Sequence, residues 1–165
     1  MARPPQISVI GAGSSGAGEE LLRDAEAVGR GLAEAGAVLV CGGRTGVMEA
    51  ASRGTAGAGG TVIGILPTTD PADANPYVTY AIATGIGHAR NLAVVASGEA
   101  VIAIGGEWGT LTEIAFARRL ERQVIALRSW SLDESAELEM GITQAGTADE
   151  AVGAALAAVR EVNQP

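Results

Sequence analysis

Six short runs of largely apolar, β-branched-rich residues punctuate the chain: ISVIG, AVLVCGG, TVIGILP, YVTYAIAT, AVIAIGG and QVIALRS. Between them lie stretches of helical period, roughly over 19–34, 46–58, 88–97, 110–122 and 149–162, and glycine marks most of the junctions. Several of these runs are apolar at nearly every position rather than every second one, so both of their faces must be buried. Short buried strands separated by helices reach that state as a parallel sheet between two helical layers. The expected fold is therefore a Rossmann-like, doubly wound α/β domain with a mainly parallel sheet, formed by residues 1–165 as a single unit. Two less regular segments, 67–76 (PTTDPADANP) and 133–147, read as loops over the sheet edge.

Composition narrows the function classes. With 165 residues the chain is long enough to bury one sizeable core. No apolar run approaches the roughly 20 residues that span a bilayer, and the opening MARPPQ lacks the apolar centre of a signal peptide. The lone Cys41 excludes a disulfide framework within the chain, fits a reducing cytoplasm and reads as an inert core thiol. One cysteine and one histidine give no soft-ligand metal site, so none is expected. The formal charge of −8 argues against general nucleic-acid binding, which draws its affinity from basic side chains on phosphates. Every basic side chain of fixed charge is an arginine, and one or two of them with backbone amides can still hold a small anion locally. The acidic run DESAELE reads as a solvated face.

After the first strand, Gly11-Ala12-Gly13-Ser14-Ser15-Gly16 spells G-x-G-x-x-G, the pattern that brings a backbone close to a pyrophosphate. A dinucleotide site also requires an acid at the end of the second strand, to hold the ribose hydroxyls. That strand instead ends Cys41-Gly42-Gly43, and Arg44-Thr45-Gly46 completes a second glycine-rich loop. The missing acid argues against nicotinamide redox chemistry, while both loops mark the phosphate end of the sheet. Gly11, Ser14, Ser15, Gly42, Gly43, Arg44 and Thr45 are the candidate phosphate contacts there.

The fifth strand runs into Gly105-Gly106-Glu107-Trp108-Gly109-Thr110 and then a helix. Its glycines permit a turn that presents amides, and amides at a helix N-terminus attract anions. Thr110 stands where the N-cap is expected, with Glu113 three residues on. This spacing fits a capping box, in which Glu113 only satisfies the cap, and equally a phosphate loop with a working carboxylate. Arg90 falls in the first turn of the preceding helix, where a cation opposes the helix dipole unless an anion joins it. His88 beside it reads as a hydrogen-bonding group. Trp108 and Trp130 could stack on a base or anchor a protein interface.

The ordered set GSSxG, GGRTGVMEAA, IGILP, GxxRN and GTLTE resembles the Lonely Guy family, formerly mislabelled lysine decarboxylases. Within it the chain looks closest to the short bacterial branch similar to molybdenum-cofactor carrier proteins, distantly related to the DNA-processing protein DprA. The resemblance covers about residues 7–128. It implies a Rossmann-like fold, a homodimer or higher homo-oligomer, and for the enzymes of the family hydrolysis of the N-glycosidic bond of nucleoside 5′-monophosphates. Position by position, the enzymes' arginine falls on Arg90 and their glutamate on Glu113, the two candidate catalytic residues. Their phosphate loop falls on Gly106, Gly109 and Thr110. Three positions depart from the P-G-G-x-G-T-x-x-E and Arg-Lys pattern: Asn91 replaces lysine, Gly105 replaces proline, and Glu107 replaces glycine.

The expected function is thus binding of a small phosphorylated molecule, a nucleotide or a molybdopterin-type ligand, by a carrier-like protein that requires no resident cofactor. Gly105, Gly106, Glu107, Trp108, Gly109 and Thr110 join the two earlier loops as candidate contacts. A phosphoribohydrolase that releases free base is the alternative, and a protein–protein interaction module without ligand is the third reading.

Overall fold

The computed structural model describes residues 3–131 and 141–162. In chain order it contains β1 (Gln6–Gly11), α1 (Glu19–Glu34), β2 (Val38–Cys41), α2 (Val47–Gly57), β3 (Val62–Leu66), β4 (Tyr80–Ala83), α3 (Arg90–Ser97), β5 (Ala100–Ile104), α4 (Trp108–Arg119), β6 (Gln123–Leu127), β7 (Ile142–Ala145) and α5 (Ala148–Val162). Short 3-10 turns at Pro71–Asp73 and Gly87–Ala89 lie in the connections on either side of β4. The strands form one sheet in the order β4-β3-β2-β1-β5-β6-β7, and every neighbouring pair is parallel.

The two faces of this sheet bury separate cores, and the alternation of side chains along each strand sorts residues between them. Ile7, Val9, Leu39, Ile102, Ile104, Ile125 and Leu127 meet α1, α2 and α5 on one face. Ile10, Val40, Val101, Ala103, Val124 and Ala126 meet α3 and α4 on the other. Central strands are therefore apolar at nearly every position, because each parity has its own helical layer to enter; Ser8 of β1 is buried with its hydroxyl donated to Val94 O. The buried stripe of α1, Ala25, Val28, Gly29 and Leu32, has the three-and-four spacing of a helix with one face on a core.

One of the two irregular segments differs from the sequence reading. The stretch over 133–147 contains a seventh strand at 142–145, short, at the sheet edge, and exposed at Thr143 and Gln144. Its single buried apolar residue, Ile142, gives no continuous apolar signal. The acidic run DESAELE lies outside the described residues. The segment over 67–76 links β3 to β4, and its Asn75 is buried. The Asn75 N–H donates to Gly43 O at 2.8 Å, and its side-chain amide to Arg44 O at 3.0 Å, so this connection braces the second glycine-rich loop. Among the described residues no helix is long and apolar enough to cross a membrane.

Helices α1 and α2 approach through glycine. A Cβ on Gly29 would lie 2.0 Å from Ala51 O, and one on Gly54 would lie 2.0 Å from Glu26 O. Those are backbone atoms that cannot swing aside, so the helices would have to separate. Gly29→Ala is expected to destabilise the fold by about 1–3 kcal/mol, the range for overpacking. That corresponds to roughly 2–4 °C in melting temperature per kcal/mol for a chain of this size, read by thermal unfolding. An unchanged or higher midpoint would show that the helices part without cost.

Candidate functional site

The chain builds outward from β1 through β2, β3 and β4, then returns across the sheet by α3 to lay β5 against the other side of β1. Crossovers on the two sides of β1 diverge there, leaving a crevice beyond the carboxyl ends of the strands, the usual ligand position in such folds. A cavity of about 180 Å³ occupies it. Its wall takes Gly11 and Gly13 from the first loop, Gly42 and Met48 from the second, and His88, Arg90 and Asn91 at the start of α3. Glu107, Gly109, Thr110 and Glu113 at the start of α4 complete it.

Arg90 is the first residue of α3. Its Nη1 donates to Ile65 O at 2.9 Å, while Nε is buried without a hydrogen-bond partner. Burial lowers its pKa, and the Glu113 charge works in the opposite direction; a guanidinium stays protonated regardless. The side chain lies where it does because position 42 has no Cβ. One built there would sit 1.8 Å from Arg90 Nη1 and 2.6 Å from Met48 Sδ.

Glu113 faces the same cavity from α4 and is only 9% exposed. Its carboxylate makes no hydrogen bond with any described residue. Burial raises its pKa from 4.5 to about 7, against the pull of Arg90. The sequence left open a purely capping role for this residue, and the structure removes it. Helix α4 begins two residues earlier, at Trp108, with Glu107 as N-cap and Thr110 as the third residue. The box is closed by Glu107 accepting from the Thr110 amide and Thr110 Oγ1 accepting from the Glu107 amide. Thr110 is thus not the cap, and its hydroxyl is turned toward the loop backbone. The stretch EWGT satisfies the box with the acid and the hydroxyl exchanged, and local spacing could not choose between that and TLTE.

The remaining candidates are dispersed. Ser15 Oγ donates to Glu107 Oε1 at 3.3 Å, joining the first loop to α4. Ser14 and Thr45 line a different cavity of about 280 Å³, with Glu49 and Arg53. Arg44 turns away from the crevice and donates to Asp73 O at 3.2 Å. Gly43 and Gly105 have positive φ, 70° and 62°, and pack under Leu66 and Leu21; their part is to shape the turns. Gly106 lies against Trp130. Trp108 is 77% exposed and tilts against Trp130 at a ring separation of 5.7 Å, beside the cavity. Cys41 is buried, and burial pushes its thiol pKa up. Met48 and Asn75 were not legible as site residues. Met48 sits in an ordinary helical apolar pattern, and the Asn-Pro pair at 75–76 signals only a turn.

A doubly wound parallel sheet with a polar crevice at its switch point defines a small-ligand-binding domain of the Rossmann-like class. The chain belongs to the SLOG cluster4 family, whose model matches residues 4–159. It is 45% identical over 123 residues to an uncharacterized protein of Archaeoglobus fulgidus, spanning 74% of this chain and 80% of that one. It is similar to the molybdenum cofactor binding protein of Rippkaea orientalis, with 34% identity and a TM-score of 0.88 over 99% of this chain and 100% of that one. It is also similar to the molybdenum cofactor carrier protein of Chlamydomonas reinhardtii, with 31% identity and a TM-score of 0.84 over 96% and 99%. DNA processing protein A of Helicobacter pylori, a single-stranded DNA binder, is 19% identical with a TM-score of 0.69, a likeness that shows the fold alone.

The raised carboxyl has a consequence for stability. Below pH 4.5 Glu113 is neutral in the folded and unfolded chains alike. Between 4.5 and about 7 the unfolded chain ionises it while the folded one resists, so this group's contribution falls as pH rises through that window. Glu113→Gln stays neutral and escapes the fall. The melting temperature of Glu113→Gln minus that of the wild type is expected to increase from pH 4.5 to pH 7.5. A difference that stays constant with pH would mean that Glu113 titrates normally.

Proposed function

We propose that the chain binds a small phosphorylated ligand of the molybdopterin or nucleotide type at the switch-point cavity and holds it as a carrier. The observation that carries this reading is the pairing on one cavity of a half-buried Arg90, whose buried Nε has no partner, with a buried Glu113 that makes no hydrogen bond to any described residue. A guanidinium with a free Nε supplies a cation and donors for phosphate oxygens. With its pKa raised to about 7, Glu113 has a substantial neutral fraction near neutral pH, and that form adds a donor where an ionised one would repel the phosphate. Asn91 offers an amide on the same wall. The relatives named for binding or carrying the molybdenum cofactor match this chain over nearly its whole length, which supports a ligand ending in a phosphate.

A second reading, a nucleoside 5′-monophosphate phosphoribohydrolase of the Lonely Guy kind, is favoured by one observation: Glu113 is free of the capping box. In that reaction the bond from C1′ to the base nitrogen breaks, water adds at C1′, and the base leaves with a proton. An ionised Glu113 would stabilise the cationic sugar or take a proton from the water, a role suited to a pKa near 7. Arg90 would hold the phosphoribose.

Thermal shift with AMP, ribose 5-phosphate and a pterin phosphate, followed by assay for free base, tests both readings. A ligand at 100 times its dissociation constant should stabilise the wild type by about 2.7 kcal/mol, and Arg90→Ala should abolish the shift. Binding without base release supports the carrier. Release of base that falls roughly 10²–10⁴-fold in Glu113→Gln supports the hydrolase. No shift with any ligand would overturn the phosphate reading and favour a protein-interaction module.

A further inference from the structure

The Glu107 carboxylate lies between the first glycine-rich loop and α4. It accepts Ser15 Oγ–H at 3.3 Å from the loop, and the Thr110 amide in the first turn of the twelve-residue helix. Gly16 makes room for it: a Cβ there would lie 2.3 Å from Glu107 Oε1 and 2.9 Å from its carboxyl carbon. The backbone of the same residue is fastened as well, with Glu107 O accepting the Trp130 indole N–H at 3.4 Å and Glu107 N donating to Thr110 Oγ1. The carboxylate is therefore built into the rim of the cavity that Arg90 and Glu113 share.

First-turn amides are what an external anion would use at a helix N-terminus. In this chain a side chain already supplies the anion, and it sits on the very cavity where the 9%-exposed Glu113 has no partner among the described residues. The pocket thus holds polar groups prepared for a guest on the Arg90 side, and a filled seat on the α4 side. We propose that Glu107 is a specificity-determining residue that acts as an internal anion: it fills the α4 seat, turns away free phosphate and simple sugar phosphates, and leaves Arg90 as the phosphate contact. This rests on the phosphate-binding reading above. It selects ligands that gain further contacts beyond their phosphate, because the contact most small phosphates rely on is withheld.

The test is titration calorimetry with inorganic phosphate and with ribose 5-phosphate on the full chain, comparing wild type, Glu107→Gln and Glu107→Gly. Glu107→Gln keeps an acceptor for the Thr110 amide and removes only the charge, so it decides the matter if the glycine variant folds poorly. Both probes are expected to bind the variants roughly tenfold more tightly than the wild type, the effect of removing one like charge from a partly screened site. A second readout locates the gain. The Thr110 amide resonance should move on adding phosphate to Glu107→Gly, where the seat is vacated, and stay still in the wild type. Glu107→Gly combined with Arg90→Ala should retain phosphate binding that Arg90→Ala alone lacks. Equal affinities in wild type and variants, with binding present, would overturn the role of Glu107 and leave the site reading standing. If neither probe binds any of the proteins, and the wild type is also silent to AMP and the pterin phosphate, both readings fall together.

Discussion

The site depends on one constraint, that β1 is buried on both faces and paired on both sides. Its side chains divide between two cores, and its edges are occupied by β2 and β5. A parallel strand so enclosed can be reached only by crossovers that pass over the sheet, and they leave it in opposite directions on its two sides. The crevice is the space those directions cannot both fill. Everything polar in the cavity comes from the loops and the first two helical turns that border it, which is why residues distant in sequence, Gly42, Arg90 and Glu113, share one wall. The same enclosure sets the electrostatics. The crevice floor is apolar sheet, so a charge placed there is desolvated and must find a partner or change its protonation.

Arg90 and Glu113 answer that demand differently. The guanidinium cannot give up its proton, so it takes a backbone carbonyl, Ile65 O, and keeps its charge with one N–H unspent. The carboxyl can take up a proton, and burial outweighs the attraction of Arg90 enough to bring its pKa to about 7. A structural ion pair would show the reverse balance, with the carboxyl held well below its ordinary value and both groups saturated by hydrogen bonds. Two half-satisfied groups facing a cavity are poor stabilisers of a fold and good receivers of a ligand.

The sheet was legible because burial on both faces writes itself into the strands as continuous apolar runs. That signal fails where burial fails: β7 is a four-residue edge strand with two exposed polar residues. The helix limits were legible to within a turn, and the error at α4 mattered. Two overlapping capping patterns, EWGT and TLTE, fit the same seven-residue stretch, and only backbone geometry shows that the first is used. Glycine-rich loops were legible as turns, but not which way their side chains face. Ser14 and Thr45 line one cavity, Ser15 clasps Glu107, and Arg44 joins the connection to β4. The pairing of Arg90 with Glu113 came from the ordered motifs of a family, since no local pattern links the ends of two separate helices.

The early start of α4 changes what Glu107, a departure from the hydrolase pattern, does in the molecule. With Thr110 as cap, Glu107 would be a loop residue free to point into solvent, a harmless substitution. With Glu107 as cap, its carboxylate is the first charge that an arriving phosphate meets on that side, while Glu113 is released from the helix and left facing the cavity. Moving the cap three residues back, from Thr110 to Glu107, thus frees the Glu113 carboxylate and places the Glu107 carboxylate on the Thr110 amide. On the proposed reading, a cavity with Arg90 and Glu113 intact but the Thr110 amide already occupied keeps the parts that would recognise a phosphorylated molecule. It withholds the second grip that would fix a phosphoribose for attack at C1′, where small misplacements are costly to rate. On the proposed reading, that imbalance is the reason to place holding ahead of cleaving.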